Sequence, residues 1–229
     1  MDDFLRIGIL PIVLTLAVFQ IGQLCQRRWK KPIFNPTLIG MILVVVFLLV
    51  TGMDPQVYAA GTAHMAWLMT PATISLAIPM YEQFRILRKN LAAVLLGVAA
   101  GTAACLVFLL VCGLVLTLDP AILTSLLPKS VTTAIGVPLS ELFGGIGALT
   151  TAAIIITGIL GNMFGATLCR LFRITDPVAQ GVAFGTASHV IGTSKAGQIS
   201  PLTGAASSLS LVVAGLLTAV LFPLLAATV

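Results

Sequence analysis

Long stretches without a charged residue dominate the pattern of polar and apolar positions along the chain. Most of them reach or exceed the roughly 20 apolar residues that a helix needs to cross the hydrocarbon core of a bilayer. The pattern therefore predicts an all-α polytopic membrane protein with about seven to eight transmembrane segments. The charge-free stretches are residues 7–26, 32–53, 55–81, 90–118, 142–169, 177–194 and 196–229.

Composition supports this interpretation. Hydrophobic residues make up 59% of the 229 residues, and charged residues only 8%, against about 25% in a typical soluble domain. So few charges cannot cover a water-facing surface, which excludes a soluble enzyme and a nucleic-acid-binding module. We expect a single integral membrane domain over residues 1–229, with the lipid bilayer as its surroundings.

The basic residues predict the orientation of the chain. They cluster at residues 27–31, 85–89 and 170–173, whereas the loops at Asp54 and Asp119 carry no basic residue. The positive-inside rule places the three clusters in the cytoplasm and the two aspartate loops outside. The helices predicted to run alternately inward and outward, starting inward, are residues 7–26, 33–52, 60–82, 91–117 and 146–169.

The stretch 120–145 does not fit this alternation, because both of its ends are expected outside. A re-entrant hairpin that dips in from outside resolves the conflict, since irregular backbone at membrane depth is tolerated where protein buries it. The alternative is an ordinary crossing helix whose orientation the rule misassigns. Both interpretations stay open at this point.

Three segments are too polar and too rich in proline or glycine to be ordinary lipid-facing helices. They are residues 70–82, 128–138 and 185–195. Proline removes a backbone donor and glycine weakens a helix, so backbone groups there become free to face a solute. The residues expected to break the helices are Pro71, Pro79, Pro128, Pro138 and Gly192.

The chain also contains a hint of internal repetition. Gly61-Thr62-Ala63-His64 resembles residues 185–189. The predicted orientations make residues 33–117 and 146–227 inverted repeats, and the re-entrant stretch 120–145 links them. Inverted repeats with interrupted helices are typical of secondary transporters with a site near the midplane. A competing alignment pairs residues 71–82 with 128–141, and the sequence does not decide between them.

Lys129 is the most informative single residue, because it lies inside a segment expected to enter the membrane. One interpretation is that its side chain reaches the interface and snorkels to water. The other is that its ammonium binds an anion, helped by a half-helix N-terminus and by neighbouring hydroxyls. The candidate hydroxyls in this segment belong to Ser130, Thr132 and Thr133.

Further candidates lie in the other broken segments. Lys195 is either a second anion-binding residue or an interfacial one, and Thr73, Ser188 and Thr193 are candidate hydrogen-bond donors to the solute. His189 either couples a proton to transport or is packed and hydrogen-bonded. Asn162 either bonds across helices or packs.

No cofactor is expected, nor a metal or a disulfide. The cysteines show no C-x-x-C spacing, and no nucleophile–base constellation suggests an enzyme. The four cysteines are Cys25, Cys105, Cys112 and Cys169.

Several stretches resemble the LrgB/CidB family of bacterial membrane proteins, over nearly the whole chain. One position departs from the family pattern: Ala134 stands where a proline often follows the two threonines. The matching stretches are Asn35-Pro36, residues 71–73, residues 78–81, residues 127–133 and residues 188–196.

The resemblance implies a multi-pass protein of the bacterial inner membrane that acts with a small LrgA/CidA-type membrane partner. A homodimer is a further expectation. Family members are described as holin/antiholin-like modulators of murein hydrolases and are also linked to transport of small carboxylates such as pyruvate, glycolate and glycerate. A protein-sized pore would need polar stripes along its helices, whereas this chain has three localised polar breaks. We therefore expect a secondary transporter of small monocarboxylates, with the holin-like regulator as the alternative.

Overall fold

The computed structural model describes residues 8–29 and 34–226, and the regular elements in these ranges are helices. Inside them, the side chains of Ala66, Met69, Thr70 and Thr73 lie outside the described part, as do Lys30 and Lys31 of the first basic cluster. The chain divides after Ser75 into two compact units. The single membrane domain and the inverted repeats stay predictions.

The first unit is a helical hairpin followed by two shorter helices. Its helices are α1 (Leu10–Trp29), α2 (Pro36–Thr51), α3 (Pro55–Ala66) and α4 (Met69–Ser75). Gly22 of α1 lies against the backbone of Pro36, because a Cβ at Gly22 would come 2.7 Å from the Pro36 carbonyl oxygen. The hydroxyls of Thr15 and Tyr58 are 2.6 Å apart and join α1 to α3.

In the second unit, the last helix lies at the centre. The helices are α5 (Ala77–Glu82), α6 (Phe84–Lys89), α7 (Leu91–Val115), α8 (Pro120–Leu126), α9 (Thr133–Leu142), α10 (Gly147–Leu171), α11 (Pro177–Ile199) and α12 (Pro201–Ala226). α12 packs against α5, α7, α9 and α11. Its buried face consists mainly of small residues, which let helices approach closely where lipid supplies no hydrophobic driving force between them. The buried run Thr203–Ser208 is an example.

Four helices begin with the same local signal, an Asn or Asp followed by proline. In each, the side-chain oxygen of the first residue accepts a hydrogen bond from a backbone N–H of the first turn, and proline occupies the first helical position. Both features stabilise a helix start, since proline has the required φ and lacks only an N–H that would be unpaired there. The pairs are Asn35-Pro36, Asp54-Pro55, Asp119-Pro120 and Asp176-Pro177.

The long helices support a polytopic membrane protein. Within the described ranges, α1, α7, α10 and α12 are long and apolar enough to cross a membrane, and the 16-residue α2 is apolar but shorter. Large apolar side chains are exposed on them, such as Leu96 at 72% and Val50 at 81%. Four spans fall short of the expected seven to eight. Of the remaining expected crossings, residues 33–52 contain the short apolar α2, and the others coincide with polar or broken segments.

The predicted inward helix 60–82 is one of these broken segments. The structure divides it into the end of α3, then α4, then α5. Pro71 and Pro79 are each the third residue of a short helix, in the first turn, where a missing N–H costs least. The breaks therefore lie just before these prolines, at Trp67–Leu68 and at Leu76.

The stretch 120–145 has the expected helix–break–helix form. A turn joins α8 to α9, and Leu127, Pro128 and Val131 of this turn are buried within the unit. Pro138 does not break the chain, because α9 continues through it to Leu142; one proline removes one backbone bond, and packing against α10 supports the helix. Entry from the outside stays a prediction.

The third expected break, in residues 185–195, is present inside α11. It falls at His189, whose φ of 42° and ψ of −140° are not helical. Gly192 was the expected breaking residue, but it lies in the helical part that follows. Its role is close packing, since a Cβ there would come 2.9 Å from the carbonyl oxygen of Phe184.

Candidate functional site

Lys129 lies in the turn between α8 and α9 and is half-buried. Its Nζ is 3.4 Å from Ser130 Oγ and 3.5 Å from Cys105 Sγ of α7, and these two atoms are 3.4 Å from each other. Neither of the two partners that the described residues give to Lys129 is a carboxylate. Within the described ranges, the ammonium therefore donates only to two weak, neutral acceptors, and neither of them neutralises its charge.

A cavity of about 500 Å³ opens beside Lys129, between α10 and α11. Lys129, Thr157 and Ser188 bring polar groups to it, while the other walls are apolar or glycine. This volume falls in the range of roughly 300–1,000 Å³ typical of small-molecule sites, which combine apolar walls with a few polar groups. The apolar walls include Leu160, Phe164, Leu168, Phe172, Ile174 and Phe184, and the first four of these side chains are exposed, so the cavity is an open groove on this side.

Glycines of α10 bring α11 close to this cavity. A Cβ on Gly161 would overlap Ser188 Oγ, a Cβ on Gly165 would overlap the ring of Phe184, and a Cβ on Gly158 would come 2.7 Å from His189 Nε2. Small residues at helix interfaces of membrane proteins allow such close approach of backbones. The glycines of α10 therefore fix the position of Ser188 in the cavity wall.

His189 is hydrogen-bonded to α10 and, through its carbonyl, to Thr193 of its own helix. It is 4% exposed, and its Nε2 lies 2.9 Å from the carbonyl oxygen of Ile154 in α10. A carbonyl only accepts, so Nε2 carries the hydrogen. The His189 carbonyl accepts a hydrogen bond from Thr193 Oγ1 at 2.9 Å, which leaves Ser207 of α12 as the donor in the 2.8 Å contact with Thr193. These contacts support a packed, hydrogen-bonded histidine, and proton coupling stays a prediction.

Asn162 makes the bond across helices that the sequence left open. Its Nδ2 donates to the carbonyl of Ile191 at 2.9 Å and to Ser194 Oγ at 3.3 Å. Ile191 lies two residues after the break at His189. α10 therefore holds the break itself through Ile154, and the chain just after the break through Asn162.

The structure brings some of the predicted site residues together and leaves others apart. Lys129 and Ser188 line the same cavity, and Ser130 touches Lys129. Thr132 is the residue before α9 and makes no side-chain cap, and Thr133 begins α9. The side chain of Thr73 lies outside the described residues. The predicted residues outside this cavity wall are Ser130, Thr132, Thr133, His189, Thr193 and Lys195.

Lys195 in particular does not share a site with Lys129. It is half-buried, and its Nζ is 3.4 Å from Gln198 Oε1, one turn further along α11. It contributes no atom to the wall of the cavity. The two lysines therefore belong to different surroundings, which makes Lys195 a useful control for Lys129.

Sequence reasoning missed Cys105 and Thr157. Cys105 lies 24 positions before Lys129 in an apolar helix, and nothing local marks it. Thr157 had a signal, because Thr157, Gly161 and Gly165 follow one another at four-residue spacing and so share a helix face. In the described ranges, no group of three His, Cys, Asp or Glu residues is placed to hold a metal ion.

Fold and site together define a polytopic helical membrane protein with interrupted helices and a lysine beside a solute-sized cavity. Residues 15–228 match the family model described as the LrgB-like family. This match covers most of the chain, so the chain belongs to the LrgB-like family.

Bacterial relatives agree with this membership. The chain is 33% identical over 219 residues to the uncharacterized protein YwbG of Bacillus subtilis (strain 168), covering 96% of this chain and 97% of that protein. It is also 33% identical over 214 residues to proteins named antiholin-like protein LrgB from Bacillus mycoides (strain KBAB4) and Bacillus cereus (strain B4264), covering 93% of each chain. No solved structure matches.

Proposed function

We propose that this chain is a secondary transporter of small monocarboxylates, such as pyruvate, glycolate or glycerate, in the bacterial inner membrane. In this proposal it acts with a small LrgA/CidA-type membrane partner. The observation that carries the proposal is the position of Lys129, which lines the cavity between α10 and α11 and has no carboxylate among its described partners.

The physical argument starts from the hydration of a carboxylate. An anion that leaves water must find fixed hydrogen-bond donors and, most simply, a positive charge. Lys129 supplies the charge, and the hydroxyls of Thr157 and Ser188 in the cavity wall supply donors. The apolar walls suit the carbon part of the acid, and the single charge of Lys129 suits a monocarboxylate better than a multiply charged solute.

In the proposed transport cycle, the substrate site opens alternately to the two sides of the membrane. Two residues from interrupted elements line the cavity, namely Lys129 in the turn that joins α8 to α9 and Ser188 beside the break in α11. Substrate sites formed by interrupted helices are the general pattern of secondary transporters, in which one bundle rocks against the other. His189 or a coupled ion sets the direction of flow in this scheme.

The direct test compares Lys129→Ala with Lys195→Ala, which removes a lysine outside the cavity. Removing a charge that pairs with a bound anion costs about 2–5 kcal/mol, so Lys129→Ala should lose at least about 30-fold in carboxylate affinity. Lys195→Ala should keep wild-type affinity, and Lys129→Arg should be partly active, because a planar guanidinium does not reproduce a compact ammonium. Uptake of labelled pyruvate into proteoliposomes, with and without the partner, measures transport.

Binding is measured separately, as the thermal stabilisation of purified protein by pyruvate, which grows with ligand occupancy. Folding of Lys129→Ala is not expected to suffer, since a lysine at membrane depth itself opposes insertion. Full stabilisation of Lys129→Ala by pyruvate would move the anion site elsewhere. If the purified protein carries lipid in the cavity and its Tm does not respond to pyruvate, the cavity is a lipid-filled crevice.

A second candidate function rests on the names of the relatives. Two Bacillus relatives are named antiholin-like proteins, which favours regulation of autolysis through the partner. This function does not need an anion site. The test expresses Lys129→Ala in cells that lack the native gene. If the protein regulates autolysis without an anion site, the variant should restore normal autolysis as fully as the wild type. If autolysis depends on the transported solute, the variant should fail to restore it.

A further inference from the structure

Two buried hydroxyls of the second unit have no hydrogen-bond partner among the described residues. They are Thr102 Oγ1 in α7 and Thr186 Oγ1 in α11, and the two residues are 5% and 8% exposed. Threonines in helices commonly donate to the carbonyl one turn earlier, as Thr151 does in α10. Because an unpaired buried hydroxyl is costly, these two call for a common explanation.

Both threonines line one small cavity. The hydroxyl-bearing residues in its wall are Thr102 of α7, Ser130 of the turn before α9, Thr186 of α11 and Thr218 of α12. α7 and α11 come close here, since a Cβ on Gly101 would lie 3.1 Å from Thr186 Cγ2. The cavity offers about 10 Å³ to the centre of a water molecule, and one water needs roughly 10–15 Å³ and two to four polar partners.

We propose that this cavity is a binding site for a single water molecule, which is hydrogen-bonded to Thr102 Oγ1 and Thr186 Oγ1 and reaches the hydroxyl of Ser130. Ser130 Oγ is also 3.4 Å from Lys129 Nζ. The water is thus the inner end of a short polar chain that runs from Lys129 through Ser130 to α7 and α11. It links the turn that holds Lys129 to the helix that is broken at His189.

Charge decides between water and a monovalent cation of similar size. No carboxylate contributes to the wall of the cavity, so nothing there neutralises a cation. The ammonium of Lys129 lies one hydroxyl away, and like charges at such distances repel each other. A neutral ligand with two donors and two acceptors suits four hydroxyls better.

The sign of a stability change tests the proposal. Thr102→Val and Thr186→Val each replace a hydroxyl with a methyl group of similar size. If the cavity holds no water, removing an unpaired hydroxyl raises the Tm of the purified full chain. If water bridges the two hydroxyls, each substitution lowers the Tm, by roughly 2–4 °C for a loss near that of one hydrogen bond in a chain of this size.

A double-mutant cycle then tests whether the two hydroxyls share one ligand. The loss of stability in the double variant should be clearly smaller than the sum of the losses in the two single variants, since the first substitution already disrupts the shared water. Thr150→Val is the matched control, because Thr150 bonds directly to Ser140 Oγ at 2.8 Å. The loss of stability caused by Thr150→Val should add to the loss caused by Thr102→Val. If a valine variant does not fold, serine and alanine at the same position give the same comparison.

The outcomes separate cleanly. Higher Tm in both single variants means a dry cavity and overturns the proposal, and so do strictly additive losses. A Tm that rises with sodium or potassium chloride, but not with choline chloride, and only while both threonines are present, means a cation site and also overturns it. Lower Tm in both singles, with a non-additive double and no cation dependence, is the expected result.

Discussion

At the scale of single residues, the break in α11 depends on a histidine with an unusual backbone. The φ of 42° and ψ of −140° at His189 lie in a region that glycine adopts freely and other residues rarely. Such a conformation costs about 1–3 kcal/mol. The bond from Nε2 to the Ile154 carbonyl and the close fit against Gly158 offset this cost.

Comparing His189→Gly with His189→Ala separates the backbone cost from the side-chain bond. Both variants lose the bond to Ile154, but only alanine keeps the backbone strain. We expect the glycine variant to be more stable than the alanine variant by about 1–2 kcal/mol, the reverse of the usual order inside a helix. Thermal unfolding in detergent measures this difference in stability. An alanine variant as stable as the glycine variant would mean that residue 189 is helical in solution.

At the scale of elements, the contact between α10 and α11 determines the geometry of the site. Three glycines of α10, at positions 158, 161 and 165, face the part of α11 that carries Phe184, Ser188 and the break. Without side chains at these positions, the backbone of α11 lies close enough for Asn162 to reach the Ile191 carbonyl. The cavity beside Lys129 depends on this close approach.

Gly161→Ala should disturb this interface, with Gly197→Ala as the matched control. A methyl group at Gly161 would overlap the buried Ser188 hydroxyl, whereas a methyl group at Gly197, also on a helix, meets nothing within 4 Å. We expect Gly161→Ala to lower the free energy of unfolding by about 1–3 kcal/mol and to weaken pyruvate binding. Gly197→Ala should be neutral or gain up to about 1 kcal/mol. Equal stability of the two variants would contradict the close packing of α10 on α11.

The sequence predicted the elements that depend on local signals and missed those that depend on tertiary contacts. The long helices followed from their charge-free stretches, and the break between α8 and α9 from Pro128. The Asp-Pro starts at residues 54, 119 and 176 were readable as caps and could have corrected several boundaries. The break at His189 was placed at Gly192 instead, because only the carbonyl of Ile154, 35 positions away, favours the histidine.

At the scale of the whole molecule, the distribution of charge predicts how the chain lies in the membrane. Basic residues lie at the ends of α1, α6 and α10, whereas the helix starts at Asp54 and Asp119 are acidic. The exposed side chains along the long helices are largely apolar. Both features suit a bilayer with the basic ends in the cytoplasm.

Single cysteines placed in a variant without the four native cysteines should report this orientation. Positions beside Arg28, Lys89 and Arg173 should be protected from a membrane-impermeant thiol reagent added outside. Positions beside Asp54, Asp119 and Gly144 should react. Phe143, 38% exposed, suits the last of these. If position 143 reacts only from the cytoplasm, residues 120–145 cross the membrane once and do not form a re-entrant hairpin.

The buried hydroxyls of α8 and α9 also have a consequence for the order of biosynthesis. Ser125 Oγ accepts from the backbone N–H of Ile146, and Ser140 Oγ accepts from Thr150 Oγ1, so both partners are supplied by the start of α10. The ribosome delivers these partners after α8 and α9, at roughly 5–20 residues per second. Until the start of α10 has been made, neither of these two bonds can form. The segment that carries Lys129 therefore gains these contacts only after the chain has been extended beyond Thr150.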